Sequence, residues 1–302
     1  MAKEPLDCLV IGAGPAGLTA ATYLARYRRN LLVIDGGSSR ARWIPVSRNC
    51  PGFPNGIGGV ALLEELREQA ERHDVELVRG QVTALERSKG GGFVARLDGL
   101  DLRAQTVVLA TGVVDVLPDM NGIEDAIRDG TVRLCAICDG FETDGKRTAV
   151  YGPASSVASH ARFLRALCAK VTVVLPRGER LDDATCAELE ADRVAVLDDV
   201  AGLTRVEGGV EATTGGGRRE RFDALYPVLG AKSQSRLAVA LGADCDENGE
   251  LKVDAKLRTS VEGLYAIGDV VSAINQISVA FGHAAIAATA VHNALPPRRR
   301  EG

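Results

Sequence analysis

The sequence predicts an α/β protein made of two Rossmann-like nucleotide-binding domains, the second of which is inserted into the first. Two strand–turn–helix patterns begin about 140 residues apart, with apolar strands at Asp7–Ile11 and Thr148–Tyr151, as an internal duplication would leave. A glycine fingerprint, Gly12-Ala13-Gly14-Pro15-Ala16-Gly17, follows the first of these strands. From Leu251 onward the chain is expected to return to the first domain.

The N-terminal pattern has the context that a dinucleotide fingerprint requires. A buried strand enters the glycine turn, Leu18–Tyr27 carries apolar residues at helical spacing, and Leu31–Asp35 reads as a second buried strand. Glycines permit the tight turn and let backbone N–H groups approach a pyrophosphate at a helix N-terminus. Asp35 is placed to accept hydrogen bonds from a ribose hydroxyl. This pattern predicts a nucleotide site, and a turn needed only for helix–sheet packing is the alternative.

The remaining elements are predicted from apolar spacing and from turns rich in Gly and Pro. In chain order they are a loop over 44–54, a helix over 59–73, short strands over 75–109, a helix over 156–167, a strand over 171–175 and a closing strand over 226–230. Near the C-terminus, Gly263–Asp269 is an apolar strand followed by a glycine and a carboxylate. Such a carboxylate can hydrogen-bond the ribityl or pyrophosphate region of a flavin, and an ordinary Asp turn is the alternative.

Two thiols lie between the two nucleotide signatures. Cys135 and Cys138 are separated by two residues, and Asp139 follows directly. Such a pair can close and open a small disulfide ring, with a thiolate stabilised by a helix N-terminus or by the other thiol. Asp139 can move a proton in each half-reaction, or it can be a helix N-cap. The other interpretations are half of a zinc site, a static disulfide and two core thiols, although no second Cys/His pair has zinc-site spacing.

Composition limits the class of protein. A hydrophobic fraction of 46% with 25% charged residues is typical of soluble globular chains. The net charge of −4, without a basic stripe, argues against nucleic acid as a partner, and Arg298–Arg300 reads as a solvated tail. No apolar run approaches the roughly 18 residues that cross a membrane, and no metal site is predicted. Seven scattered cysteines favour a reducing cytoplasm, where a C-x-x-C pair is more often catalytic than structural.

With these residues the chain resembles the low-molecular-weight thioredoxin reductases over essentially its full length. The resemblance is carried, in order, by the N-terminal fingerprint, Ala110-Thr111-Gly112, Cys135-x-x-Cys138-Asp139-Gly140 and Thr259–Asp269. It implies a three-layer ββα architecture for both domains and a homodimer. An FAD-binding domain would cover residues 1–113 and 237–302, and a NAD(P)H-type domain carrying the dithiol would cover 114–236.

The resemblance also implies roles for individual residues. Cys138 would face the flavin, Cys135 would exchange with a thioredoxin-like protein or a small dithiol or disulfide, and Asp139 would be the acid/base. FAD would be held by Gly12, Gly14, Pro15, Ala16, Asp35, Asn49, Thr111, Gly112, Gly268, Asp269, Gln276 and Ile277.

One departure concerns the second nucleotide turn, Gly152-Pro153-Ala154-Ser155-Ser156-Val157. Ala154 stands where the family has the glycine that a pyrophosphate approaches, and Val157 is bulkier than the helix–strand contact at the third small position prefers. Leu175-Pro176-Arg177 replaces the basic cluster of NADPH enzymes. The sequence therefore argues against NADPH. It leaves ferredoxin or oxygen as electron partners, or a second FAD in place of NADPH. An NADPH-dependent thioredoxin reductase and a non-catalytic flavin redox sensor are the alternatives.

Overall fold

A computed structural model describes residues 5–271 and 274–297, so the predicted tail Arg298–Arg300 lies outside the described residues. The chain folds into two compact units. The first contains the residues up to Arg42, Gly58–Val114 and the residues from Lys232 on, and the second contains Trp43–Ile57 and Asp115–Ala231. The assignment of FAD to residues 1–113 and 237–302 stays a prediction. No helix among the described residues has the length and apolar character to cross a membrane.

The secondary structure follows the predicted order. The strands are β1 (Leu6–Ile11), β2 (Leu31–Asp35), β3 (Glu76–Arg79), β4 (Val82–Arg87), β5 (Phe93–Leu97), β6 (Leu100–Leu109), β7 (Val113–Asp115), β8 (Arg147–Tyr151), β9 (Lys170–Pro176), β10 (Ala195–Val206), β11 (Gly209–Thr214), β12 (Arg219–Phe222), β13 (Ala224–Pro227), β14 (Ala231–Ser233) and β15 (Leu264–Ala266). The helices are α1 (Pro15–Arg26), α2 (Gly59–Glu71), α3 (Ile123–Arg128), α4 (Ala136–Asp139), α5 (Ala154–Arg165), α6 (Asp183–Ala191), α7 (Arg236–Val239) and α8 (Ile277–Ala294).

Helix starts differ most from the prediction. α1 begins at Pro15 rather than Leu18, and α5 begins at Ala154 rather than Ser156. In each case a proline stands at the helix start, as the first helical residue of α1 and as the N-cap residue Pro153 of α5. Proline suits these positions because its fixed φ matches the helix and its missing N–H would have no intrahelical partner. The apolar spacing alone misses this first turn.

The first unit contains a sheet of order β3-β2-β1-β6, with β15 pairing parallel to the end of β6. β4 and β5 extend the sheet as an antiparallel meander on β6. Ile11 pairs with both Ile34 and Leu109, and Leu109 pairs with Ala266. The carboxyl ends of four parallel strands therefore meet at one edge, which is where ligands bind in open α/β sheets.

Both faces of the first parallel sheet are covered. Leu9 and Ile11 belong to the apolar cluster that includes Phe93 of the meander, whereas Cys8 and Val10 alternate with them and are also buried. α1 packs against α2 and α8. Burial on two faces explains why these strands read as continuous apolar runs rather than as alternating ones.

The second unit repeats this plan. Its parallel strands have the order β10-β9-β8-β13, and β11 and β12 continue antiparallel from β10. Tyr151 at the end of β8 pairs with Val174 and Pro227, so this unit also has one carboxyl edge. The prediction of two Rossmann-like, three-layer ββα domains is confirmed.

A buried arginine holds the C-terminus of α8. Arg29 donates from Nη2 to the His292 carbonyl oxygen at 2.8 Å and from Nη1 to the Pro296 carbonyl oxygen at 2.9 Å. Its Nε donates to His292 Nδ1 at 3.1 Å. The last carbonyl groups of a helix lack intrahelical donors, so a cation with several N–H groups both satisfies them and suits the helix dipole.

We expect Arg29→Met to lower the free energy of unfolding by about 2–4 kcal/mol, because the buried carbonyl groups would lose their donors. Urea denaturation followed by circular dichroism measures the change. Arg28→Met is the matched control, since Arg28 is exposed one residue earlier, and its effect should stay within about 0.5 kcal/mol. Equal losses in the two variants would contradict a role of Arg29 as a cap.

Candidate functional site

The glycine turn between β1 and α1 is shaped by two steric requirements. Gly12 has a φ of +111°, and a Cβ there would overlap the carbonyl oxygen of Ala110. A Cβ on Gly17 would overlap the carbonyl oxygen of Gly12. A Cβ on Gly14 would meet only Ser39 Oγ, at 3.3 Å. Gly12 and Gly17 are therefore needed for the turn itself, whereas Gly14 leaves space open in front of the helix.

The N-terminus of α1 suits an anion. Its N-cap residue is Gly14, which has no side chain to cap the helix, and Pro15 is the first helical residue. The first N–H groups of a helix have no intrahelical acceptors, and the helix dipole adds partial positive charge there. Together with the open space at Gly14, this end of α1 fits a pyrophosphate.

The structure brings the C-terminal motif to this turn. A Cβ on Gly268 would lie 2.9 Å from the Cβ of Ala16, so the turn that carries Asp269 packs on the first turn of α1. Ala110 donates its N–H to the Ile11 carbonyl oxygen at 2.8 Å, which places Thr111 and Gly112 at the same edge. Thr111 Oγ1 donates to the Gln234 carbonyl oxygen at 2.7 Å. Gln276 is the N-cap residue of α8 and Ile277 is its first residue.

Two arginines that sequence reasoning missed accompany the predicted acids. Arg67 Nη2 lies 2.6 Å from Asp35 Oδ2, while Asp35 Oδ1 accepts the Gly37 N–H at 2.7 Å. Arg40 Nη1 lies 3.3 Å from Asp269 Oδ2. Nothing in the sequence separates Arg40 or Arg67 from solvated surface residues. Each arginine offsets the negative charge of the acid with which it pairs, at the edge where a pyrophosphate is predicted.

Two buried polar atoms near the start of α8 lack hydrogen-bond partners, namely Asn275 Oδ1 and His283 Nδ1. Burial lowers the pKa of His283, so its ring is neutral near pH 7. Buried polar atoms are rarely left unpaired in native proteins, so unpaired ones point to a ligand that completes them. With the open cradle at Gly14, these atoms fit FAD. Asn49 lies in the Trp43–Ile57 segment of the second unit, and its part in FAD binding stays a prediction.

The predicted dithiol is present as a disulfide between Cys135 and Cys138. Cys135 is the N-cap residue of α4, and its Sγ accepts the Cys138 N–H at 3.2 Å. A hydrogen bond to sulfur favours the thiolate over the thiol, so the Cys138 N–H would stabilise a thiolate at Cys135 once the disulfide is reduced. Ile137 between the cysteines and Phe141 beyond them are 51% and 78% exposed, which leaves apolar surface beside the disulfide.

Asp139 is held from both sides. Its Oδ2 lies 2.8 Å from Arg133 Nη1, and its Oδ1 accepts a hydrogen bond from the Tyr226 hydroxyl at 2.8 Å. Its side chain makes no cap hydrogen bond, so the N-cap interpretation is not what the structure shows. Burial raises the pKa of Asp139, and Arg133 and Tyr226 oppose that rise. The result is a shielded carboxyl group in a fixed orientation directly after Cys138.

The two residues that hold Asp139 come from neighbouring segments. Val132 forms a parallel bridge to Leu225 of β13, and Arg133 donates its N–H to the Leu225 carbonyl oxygen at 2.9 Å. This pairing fixes Arg133 next to Tyr226, the following residue of β13. Sequence reasoning missed both, because Tyr226 lies in an apolar strand that reads as core and Arg133 has no periodic signal.

We expect Tyr226→Phe to slow thiol–disulfide exchange about tenfold on the acidic side of the pH–rate profile, where a smaller fraction of Asp139 is ionised and able to accept a proton. The Tyr226 hydroxyl favours the ionised carboxyl group, so its loss raises the pKa of Asp139 further and moves the acidic limb of the pH–rate profile to higher pH. Thiol–disulfide exchange rates measured across pH test this. Tyr151→Phe, at a half-buried tyrosine of β8 in the same unit, is the control. A profile in Tyr226→Phe identical to that of the wild type would contradict the assignment.

The comparisons with known proteins agree with this geometry. Residues 6–284 match the model of the family described as pyridine nucleotide-disulphide oxidoreductase. The chain is 32% identical to the thioredoxin reductase of Streptomyces coelicolor over 282 residues, which is 88% of this chain and 86% of that protein. Among solved structures, the thioredoxin reductase of Streptococcus pyogenes has a TM-score of 0.87 at 28% identity, covering 95% of this chain and 97% of that one. A protein named HlmI has a TM-score of 0.89 at 28% identity, covering 96% and 92%.

Proposed function

Because the chain belongs to the pyridine nucleotide-disulphide oxidoreductase family, as a thioredoxin reductase-like flavoprotein, we propose that it exchanges two electrons between FAD and the Cys135–Cys138 pair without using NADPH. The pair would then react with a thiol or disulfide partner. The observation that carries this proposal is the disulfide at the start of α4, followed by a half-buried acid that two side chains hold in place.

FAD supplies a two-electron carrier when it is bound. In the reducing direction, two electrons break the Cys135–Cys138 bond and leave two thiol groups. The Cys135 thiolate attacks a partner disulfide, which forms a mixed disulfide and releases one partner thiolate. Cys138 then attacks the sulfur of Cys135, which restores the enzyme disulfide and releases the second thiolate. Asp139 delivers or accepts the protons, and the oxidising direction reverses these steps.

The second nucleotide turn supports the part of the proposal that concerns NADPH. Val157, which stands at the third small position, is fully buried in the core of the second unit. Arg177, which would have to contact a 2′-phosphate, pairs with Asp199 at 3.1 Å. Ferredoxin, oxygen or a second FAD would then replace NADPH as the electron partner.

One observation favours an NADPH-dependent thioredoxin reductase instead. A cleft of about 410 Å³ lies beside α5, and Arg162 and Arg180 are among its lining residues. Arginines in such a cleft suit a phosphate. Arg162, however, is already paired with Glu188 at 3.0 Å and Asp192 at 2.9 Å. These ion pairs make Arg162 less available to a phosphate. Rapid mixing with NADPH tests the alternative directly.

Anaerobic rapid mixing tests the proposal. The FAD-loaded protein is mixed with dithiothreitol in one experiment and with NADPH in another, while the visible absorbance of the flavin is followed. We expect the dithiol to bleach the flavin in the wild type, and NADPH to leave it largely unchanged on the same timescale. Rapid stoichiometric bleaching by NADPH would favour the alternative, and no bleaching by dithiols would contradict electron exchange with the disulfide.

The proposal extends to partners and location. The relatives named thioredoxin reductase support a thioredoxin-like protein as the disulfide partner, with small dithiols or disulfides as the other class. The exposed Ile137 and Phe141 offer such a partner apolar contact beside the reacting sulfur atoms. We further propose that the protein is cytoplasmic and that it forms a homodimer. Equilibrium sedimentation would test the homodimer.

A further inference from the structure

We infer that Glu179 is an internal anion that occupies the phosphate position of the second nucleotide turn and so determines which electron donors the enzyme accepts. Its Oε2 accepts the backbone N–H of Ala154 at 2.8 Å. Ala154 is the first residue of α5, a helix of 12 residues. The inference rests on the proposed function and deepens it, because it names the group that excludes a dinucleotide.

The local sequence delivers Glu179 to this position. β9 ends at Pro176, and Glu179 donates its N–H to the Pro176 carbonyl oxygen at 3.1 Å, which closes a tight turn. Gly178 within the turn has a φ of +92°, a conformation that favours glycine. The turn returns the chain over the carboxyl edge of the sheet, where the N-terminus of α5 also lies. The backbone turn therefore places Glu179 near the N-terminus of α5, and its position does not depend on the side-chain conformation alone.

The first unit shows the same position without a carboxylate. Gly12 donates its N–H to Ile34 of β2 at 2.9 Å, and Gly152 donates its N–H to Val174 of β9 at 3.4 Å, so the two turns correspond. Neither N-cap residue, Gly14 of α1 or Pro153 of α5, makes a side-chain cap hydrogen bond. The first N–H of α5 is instead bonded to the carboxylate of Glu179, which comes from the turn after β9. The N-terminus of α1 is therefore an open anion site, whereas the corresponding N-terminus of α5 is occupied by the Glu179 carboxylate.

A carboxylate at this helix end excludes a diphosphate for two reasons. It uses an N–H group that a pyrophosphate would need, and its negative charge repels the phosphate at short range. A bound dinucleotide would have to displace Glu179 and break a charge-assisted hydrogen bond. The excluded class is any ligand that presents a nucleoside diphosphate to α5, which includes a second FAD as well as NADPH and leaves ferredoxin or oxygen as the electron partner.

Calorimetric titration with ADP-ribose tests the inference. ADP-ribose carries the pyrophosphate but no nicotinamide, so binding is read independently of electron transfer and of the proposed reaction. The full-length, FAD-loaded, oxidised protein is used, so the first nucleotide site is filled. We expect Glu179→Ala to bind ADP-ribose about tenfold or more tightly than the wild type. Glu179→Gln loses the charge but keeps an acceptor, so its affinity for ADP-ribose should lie between those of the wild type and Glu179→Ala. This variant is measured instead if Glu179→Ala does not fold.

Asp182→Asn is the matched control. Asp182 lines the cleft beside α5, which Ala154 also lines. As the N-cap residue of α6 it accepts the Thr185 N–H at 2.6 Å, a role that Asn also fills. The affinity of the Asp182→Asn variant for ADP-ribose should equal that of the wild type. Equal affinities in the wild type and Glu179→Ala, whether measurable or absent in both, would overturn the inference. An Asp182→Asn gain as large as that of Glu179→Ala would also overturn it, because general charge would then explain the exclusion. A failure of dithiols to bleach the flavin would instead count against the proposed function alone.

Discussion

Cys138→Ser is expected to lower disulfide turnover by at least about a thousandfold while the protein keeps its FAD, because a lone Cys135 cannot form the intramolecular disulfide that stores two electrons. The flavin-binding residues assigned above lie at other positions, so cofactor content should be unchanged. Anaerobic reductive titration gives the clearest measurement. The wild type should take up about four electrons per chain, two for FAD and two for the disulfide, and Cys138→Ser about two.

Cys135→Ser should show the same uptake of about two electrons, since either sulfur is indispensable to the pair. Cys186→Ser is the matched control, because Cys186 is an exposed free thiol of the same unit, and its uptake should remain about four electrons. If Cys138→Ser still took up four electrons, the second two-electron store would lie elsewhere in the molecule and the role given to the disulfide would be wrong.

The second large effect is expected at Gly17. A Cβ there would overlap the carbonyl oxygen of Gly12, which is backbone and cannot rotate away. Gly17→Ala should therefore lower the free energy of unfolding by at least about 3 kcal/mol and yield protein without flavin. Urea denaturation and the flavin content of the purified protein measure the two effects.

Gly14→Ala separates folding from binding. A Cβ at this position meets only Ser39 Oγ at 3.3 Å, and the φ of −80° is open to any residue. Stability should change by less than about 1 kcal/mol, while the added methyl group enters the space assigned to the pyrophosphate and weakens FAD binding about tenfold or more. Equal flavin affinity in Gly14→Ala and the wild type would argue against a pyrophosphate at this end of α1.

Features of the fold could be predicted from the sequence where a few neighbouring residues permit only one local structure. The glycine turn, the parallel strands that flank it and the C-x-x-C pair each follow from sterics or covalent geometry within a few residues, and all of them are found in the structure. The fold class followed from the repetition of strand, turn and helix in the two halves.

The residues that the sequence did not reveal act across long separations. Arg133 and Tyr226 meet at Asp139 only because the segment around Val132 pairs with β13. Glu179 reaches Ala154 only because a tight turn follows β9. Each of these side chains is of a type that is usually solvated or core, so pattern and spacing carry no signal for it. Tertiary placement, rather than residue type, gives them their roles.

The unpaired Asn275 Oδ1 and His283 Nδ1 affect how stable the protein is in the cell when it has no ligand. A ligand that binds only the native state stabilises it by mass action, by about 4 kcal/mol when its free concentration is a thousand times its dissociation constant. With FAD proposed as the ligand of these atoms, chains made during vitamin B2 shortage would leave them unsatisfied and would unfold more often. The amount of this enzyme should therefore follow flavin supply through proteolysis of empty chains, even when its synthesis is constant.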